Sequence, residues 1–120
     1  MPYLGNGGSF GRSRTGSSTV VQEKDTTVGP NTTVGLPWIR FLGMSRVSLL
    51  ARRTAGAGGI AYVYFRQGTQ ARLVGQLALT GGPDFASWSV AGRDVYVVLS
   101  NVGGIAGIRV ETNLSAMGGA

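Results

Sequence analysis

The side chains best suited to acid–base chemistry in this 120-residue chain are five carboxylates, Glu23, Asp25, Asp84, Asp94 and Glu111. A glycosidase needs only two carboxylates that face each other across the bond it cleaves. Here two flank predicted turns, one lies on the outward face of a predicted strand, and two fall in a predicted N-terminal arm. We therefore expect turn-forming and surface roles for these acids, and no cluster of oxygens that could bind calcium.

Histidine and cysteine are both absent, and Lys24 is the only lysine. A serine nucleophile needs a neighbouring base, and the common zinc sites need thiolates or imidazoles. The glycine runs GNGG, GAGG and NVGG fit neither the dinucleotide-binding nor the phosphate-binding loop pattern. The sequence thus predicts a protein that is not an enzyme and that uses no metal and no cofactor.

Arginine is the dominant charged residue, since ten of the eleven basic side chains are Arg and the net charge is +6. Arginine desolvates more readily than lysine and is enriched at protein interfaces. Two arginines lie near the N-terminus among three apolar residues, and three more lie on predicted outward faces of strands. Together they form the predicted partner-binding set: Tyr3, Leu4, Phe10, Arg12, Arg14, Arg46, Arg52 and Arg72.

Residues 1–37 have the composition of an extended arm. Residues 1–17 are rich in glycine and serine, as linkers are, yet apolar residues that a spacer does not need are distributed through them. Residues 18–37 are rich in threonine and valine, with a turn signal at Gly29-Pro30-Asn31. We interpret residues 1–37 as arm or edge structure outside the core, and we find no secretory signal at the N-terminus.

From Trp38 onward, segments with strand-like patterns of apolar residues alternate with short turns that contain glycine. The predicted strands are Trp38–Leu42, Arg46–Thr54, Ile60–Arg66, Ala71–Thr80, Phe85–Ala91, Asp94–Ser100 and Ile105–Thr112. This regular spacing predicts an all-β fold, an antiparallel, jelly-roll-like β-sandwich with about seven core strands. We place the sandwich at residues 38–114 and a flexible tail at residues 115–120.

A Gly/Ser/Thr arm, a short sandwich without cysteine, few charges and no catalytic set together resemble the small decoration, or cement, proteins of bacteriophage capsids. The stretch RDVYVVLSNVGGIAGIRVET, residues 93–112, looks like the closing hairpin of a jelly-roll or carbohydrate-module sandwich. The resemblance implies a virion protein that clamps the major capsid protein or other virion subunits, as a homo-oligomer with a trimer favoured. An arm that orders on binding and many copies on one lattice fit that role.

Two other binding functions stay open from the sequence alone. Trp38 or Trp88, if exposed, could form a platform for a sugar ring. Arginines beside aromatic residues could bind single-stranded nucleic acid, but we rank this below a protein partner because the basic residues are dispersed. No apolar run has the length of a membrane-spanning helix, so we expect no membrane contact.

Overall fold

The computed structural model describes residues 18–40, 44–89 and 94–118, and these residues form nine β-strands and no helix. The strands are β1 (Ser18–Val28), β2 (Thr33–Gly35), β3 (Ile39–Arg40), β4 (Met44–Ala55), β5 (Ile60–Gln67), β6 (Gln70–Ala78), β7 (Pro83–Ser89), β8 (Asp94–Ser100) and β9 (Ile108–Gly118). Every described pairing is antiparallel. The prediction of an all-β, antiparallel fold is confirmed.

Two sheets make up the sandwich. The first sheet has the order β1-β9-β4-β7, and the second has the order β2-β8-β5-β6, with β3 also paired to β8. The ladders nest around the β5–β6 hairpin, since β4 pairs with β7, β2 with β8, and β1 with β9. A long hairpin rolled up into two sheets in this way is a jelly roll, as the strand spacing predicts.

The core lies between the two sheets and follows from the alternation of side chains along each strand. In β4, Val47, Leu49 and Ala51 are all fully buried, as the sequence pattern predicts. Burying each side chain of valine or leucine size stabilises the fold by roughly 1.5–3 kcal/mol. Both sheets contribute, and the largest fully buried side chains are Leu49, Leu99, Ile108, Leu114, Val28, Val47, Val63, Val95, Val97 and Val110.

Residues 18–37, which we interpreted as arm or edge structure outside the core, form edge strands of the sandwich and contribute to its core. β1 pairs with β9 along its whole length, and Val28 at its end is fully buried. Threonine and valine are typical of strands as much as of extended arms, so the pairing with β9, which is distant in sequence, decides between the two. Ala116, which falls in the predicted tail, is likewise buried within β9. Residues 1–17 lie outside the described residues.

A bulge in β6 changes which side chains of that strand reach the core. The β5–β6 register shifts between Val63 and Tyr64, which pair with Gly75 and Leu73, so Val74 is the extra residue. As a result Val74 and Leu77 pack against the core, while Leu73 is 50% exposed. Regular alternation along β6 predicts that Leu73 and Leu77 share a face, and the bulge places them on opposite faces.

Candidate partner-binding surfaces

Strands β4 and β7 place two of the predicted arginines beside two exposed apolar side chains on the outer face of the first sheet. Leu50 of β4 and Phe85 of β7 are direct cross-strand partners, and their side chains are 41% and 62% exposed. Arg46 and Arg52 lie on the same face of β4, because they are an even number of residues from Leu50. We call this group, Arg46, Leu50, Arg52 and Phe85, the β4–β7 face.

The two arginines of the β4–β7 face differ in whether a carboxylate of this chain pairs with their charge. Arg46 donates hydrogen bonds to the hydroxyls of Ser89 at 3.2 Å and Ser87 at 3.0 Å, which fix its orientation. Across the part of the chain that the structure describes, no carboxylate lies within ion-pair distance of Arg46. Arg52 donates to Glu111 Oε1 at 3.0 Å in an exposed pair, which is worth little in water. Arg46 thus holds a positioned charge that a partner carboxylate could neutralise.

Strands β1 and β9 bring acids together that are far apart in sequence. Asp25 lies opposite Glu111 in the ladder, and Arg109 donates two hydrogen bonds to Asp25, from Nε at 2.9 Å and from Nη2 at 2.6 Å. These hydrogen bonds lower the pKa of Asp25 and raise the pKa of Arg109. Among the described residues, no group of three or more metal-binding side chains is placed to hold an ion. The arrangement is a set of surface ion pairs.

Two further acids, Asp84 and Asp94, hold a turn and the start of a strand. Asp84 accepts hydrogen bonds from the backbone N–H of Thr80 at 2.9 Å and from its hydroxyl at 2.7 Å, and both lower the pKa of Asp84. Asp94 accepts a hydrogen bond from Arg66 at 2.8 Å at the start of β8. The expected turn-forming role of Asp84 is confirmed.

Aromatic side chains line the outer face of the second sheet. The ring centroids of Trp38 and Tyr96 are 3.9 Å apart, and those of Tyr96 and Tyr64 are 5.4 Å apart. The guanidinium of Arg66 lies 4.1 Å from the Trp38 ring centroid. Trp38 therefore packs against Tyr96 and Arg66, whereas a sugar platform needs an uncovered ring face. Trp88 packs against the core, and both tryptophans are half-buried.

The remaining predicted binding residues lie elsewhere. Arg72 is exposed on β6, an edge strand of the second sheet, and pairs in the ladder with Phe65. It is therefore separated from Arg46 and Arg52, which lie on the first sheet. Five predicted residues fall outside the described residues, and their partner-binding role stays a prediction: Tyr3, Leu4, Phe10, Arg12 and Arg14.

Sequence reasoning missed the exposed apolar residues. Phe85 shares one face of its predicted strand with Ser87 and Ser89, and Trp88 lies on the other face. The pattern therefore indicated that one of these two aromatic residues faces solvent. Ile105 was assigned to a strand, but β9 begins at Ile108, and Ile105 is 99% exposed in the loop that connects β8 to β9.

Across the described ranges, the structure has no helix with the length and apolar character to cross a bilayer.

Comparison with known proteins gives a likeness of fold. No protein-family model matches the chain, and no curated protein matches it. One solved structure that it resembles is described as "Bacillus endospore appendages form a novel family of disulfide-linked pili". The superposition has a TM-score of 0.56 with 17% identity, and it covers 90% of this chain and 91% of that chain. At this identity the likeness shows that the two chains share a fold over nearly their whole length.

Proposed function

We propose that this chain is a non-enzymatic structural subunit of a large virion or extracellular assembly, in which it binds neighbouring protein subunits. The contacts that we assign to this role are residues 1–17 and the β4–β7 face. Capsid decoration is the form of this role that the sequence resemblance favours, and a surface filament is the form that the structural likeness favours.

The observation that carries the proposal is the exposed Leu50–Phe85 pair. Two large apolar side chains, 41% and 62% exposed, lie side by side on paired strands and are flanked by Arg46 and Arg52. Aromatic side chains and arginines are the residue types enriched at protein interfaces and at their energetic centres. Because the two strands already hold these side chains in place, binding orders little more of the backbone.

We propose that residues 1–17 extend such a contact. They lead directly into Ser18, the first residue of β1, which is an edge strand of the first sheet. Seventeen residues reach at most roughly 60 Å when fully extended, which exceeds the longest dimension of the described part, 49 Å. Their length therefore permits contact with a neighbouring subunit, where Tyr3, Leu4 and Phe10 would supply apolar anchors.

The structural likeness supports a subunit role and also marks a difference. The similar protein is described as forming disulfide-linked pili. This chain has no cysteine, so contacts between its own copies cannot be disulfide-linked. We propose that non-covalent contacts, repeated over many copies, supply the strength of the assembly.

The double variant Leu50→Ser, Phe85→Ser tests the β4–β7 face. We expect the variant to fold. Its copy number in the large assemblies that sediment from the cells producing it should be a small fraction of the wild-type copy number. Leu73→Ser is the matched control, because Leu73 is similarly exposed but lies on the second sheet. Equal incorporation of wild type, double variant and control would rule out the β4–β7 face as a contact.

A further inference from the structure

The loop between β8 and β9 presents two bare apolar side chains at one end of the sandwich. Ile105 is 99% exposed and Val102 is 72% exposed, the two largest values among the exposed large apolar residues of the described chain. Side chains exposed to this extent do not stabilise the fold by burial. Their exposure raises the question of what covers them.

The loop that carries these side chains is held rigidly by Asn101, which is itself only 2% exposed. Its amide Nδ2 donates to the carbonyl of Gly29 at 3.0 Å and to that of Ala106 at 2.9 Å, and its backbone N–H donates to Thr32 at 2.8 Å. The backbone N–H of Gly103 donates to Asn31 Oδ1 at 2.9 Å. The loop backbone is therefore tied to the β1–β2 turn at several points before any partner arrives.

A hollow lies directly beside the exposed side chains. It has a volume of about 490 Å³ and is lined by residues 57–59 of the β4–β5 turn and 101–105 of the β8–β9 loop. Four of these residues are glycines, at positions 58, 59, 103 and 104. A Cβ atom added at Gly58 or Gly103 would meet nothing within 4 Å in this chain, so the space next to these two glycines is open.

The occupant that best fits this arrangement is a second copy of the chain. A projection and a recess that lie side by side on one surface are complementary to themselves under a two-fold rotation, because each copy then inserts its projection into the recess of the other. The chain carries a net charge of +6, yet residues 57–59 and 101–107 contain no charged residue. The lining residues themselves therefore add no like charges to a contact between two copies, and the basic side chain beside them is that of Arg53, which donates to the Gly58 carbonyl at 2.8 Å.

We propose that the β8–β9 loop is a two-fold self-association site, in which Ile105 of each copy inserts into the glycine-lined hollow of the other. A contact confined to these loops is small, so it is weak in an isolated pair and becomes effective when many copies are held on one assembly. This site is distinct from the β4–β7 face and from residues 1–17, so it stands or falls independently of the proposed function.

Sedimentation equilibrium of the full chain at high protein concentration measures the association. We expect Ile105→Ser to weaken dimer formation by roughly tenfold or more, since it removes buried apolar surface from both halves of the contact. Gly58→Asn should weaken it equally by filling the hollow, because asparagine tolerates the positive φ of 76° at this position. Leu73→Ser, the control, should leave the association unchanged.

Mixing the two variants separates a specific contact from general stickiness. Ile105→Ser and Gly58→Asn should each associate with themselves only weakly, but a mixed pair keeps one intact projection and one open hollow. The mixture should therefore form heterodimers more tightly than either variant forms homodimers. No gain on mixing, or no effect of either substitution on the wild-type association, would overturn the proposal. Binding of neutral phosphatidylcholine vesicles that depends on Ile105 would also overturn it in favour of a lipid surface.

Salt provides an independent readout. Added salt screens the repulsion between two copies of charge +6, and the contact itself has no ion pairs to lose. The dimer should therefore become more stable as salt increases. A dimer that weakens with salt would instead assign the association to charged residues outside this loop.

Discussion

Asn101 shows how one buried polar residue can shape a surface. Its side chain joins the β8–β9 loop to the β1–β2 turn through the carbonyls of Gly29 and Ala106. Both hydrogen bonds are partly buried, and each contributes roughly 0.5–1.5 kcal/mol to stability. Asn101→Ala should lower the free energy of unfolding by about 1–3 kcal/mol, measured by urea denaturation.

Asn101→Asp provides the matched comparison for that substitution. Aspartate has almost the same shape but no N–H group, so at neutral pH it places a carboxylate against two carbonyl oxygens. We expect it to destabilise the protein at least as much as alanine does. A variant that unfolds at the same urea concentration as wild type would show that these hydrogen bonds do not hold the loop.

Gly75 is the residue that makes room for Trp88. A Cβ atom at this position would overlap the indole ring, whereas a Cβ atom at Gly82 would meet nothing within 4 Å. Gly75→Ala should destabilise the fold by about 1–3 kcal/mol through overpacking and should shift the Trp88 fluorescence in a Trp38→Phe background. Gly82→Ala is the control and should leave both the stability and the spectrum nearly unchanged.

Two carboxylates link stability to acid. The pKa of Asp25 is lowered by the hydrogen bonds from Arg109, and the pKa of Asp84 is lowered by those from Thr80. Because each folded-state pKa lies below the unfolded value near 3.9, their contribution is present above that pH and is lost as the pH falls through the folded-state values. Thermal melts below about pH 4 should therefore show a smaller acid-induced loss of Tm for Asp25→Asn and Asp84→Asn than for wild type. An unchanged pH dependence in both variants would contradict this assignment.

At the level of the elements, the strands with simple apolar patterns were predictable. The alternation of Val47, Leu49 and Ala51 in β4 fixes its buried face, and Ile108 and Val110 do the same in β9. β1 was not predictable as part of the sandwich, because its assignment depends on pairing with β9 at the far end of the chain. Local patterns carry no information about such a partner.

Bulges and loops limited the prediction of surfaces. The bulge at Val74 arises from the β5–β6 pairing, so the sequence of β6 alone assigns Leu73 and Val74 to the wrong faces. Arg46 and Arg52 were predicted on an outward face, but their apolar neighbours Leu50 and Phe85 become a common surface only when β4 and β7 pair. The charged residues of the β4–β7 face were thus predictable from the sequence, whereas its apolar centre was not.

The β6 bulge yields a test of relative stabilities. Leu73→Ser should change the free energy of unfolding by no more than about 0.5 kcal/mol, since the side chain is on the surface. Val74→Ser, although it removes a smaller side chain, should cost about 1–3 kcal/mol because Val74 packs against the core. Urea denaturation compares the two. A larger loss for Leu73→Ser would mean that β6 alternates regularly.

At the scale of the whole molecule, the residues that stabilise the rolled-up hairpin are separate from those that we propose as contacts. Its interior is filled by side chains from both sheets, so its outer faces, its loops and residues 1–17 can vary without loss of the core. Of the three proposed contact regions, the β4–β7 face and the β8–β9 loop lie on different parts of this fold. A subunit with two separate contact regions can join more than one neighbour, which a lattice or a filament requires.

Removal of residues 1–17 tests the central claim most directly. The truncated chain retains all nine described strands, so it should keep a β-type circular dichroism spectrum and a cooperative unfolding transition. The copy number of each chain in particles sedimented from its producing cells is measured by quantitative mass spectrometry. We predict a fixed, multi-copy number for the full chain and near-complete loss for the truncated one. If both chains sediment with particles in equal number, or if the full chain stays entirely in the supernatant, the account is contradicted.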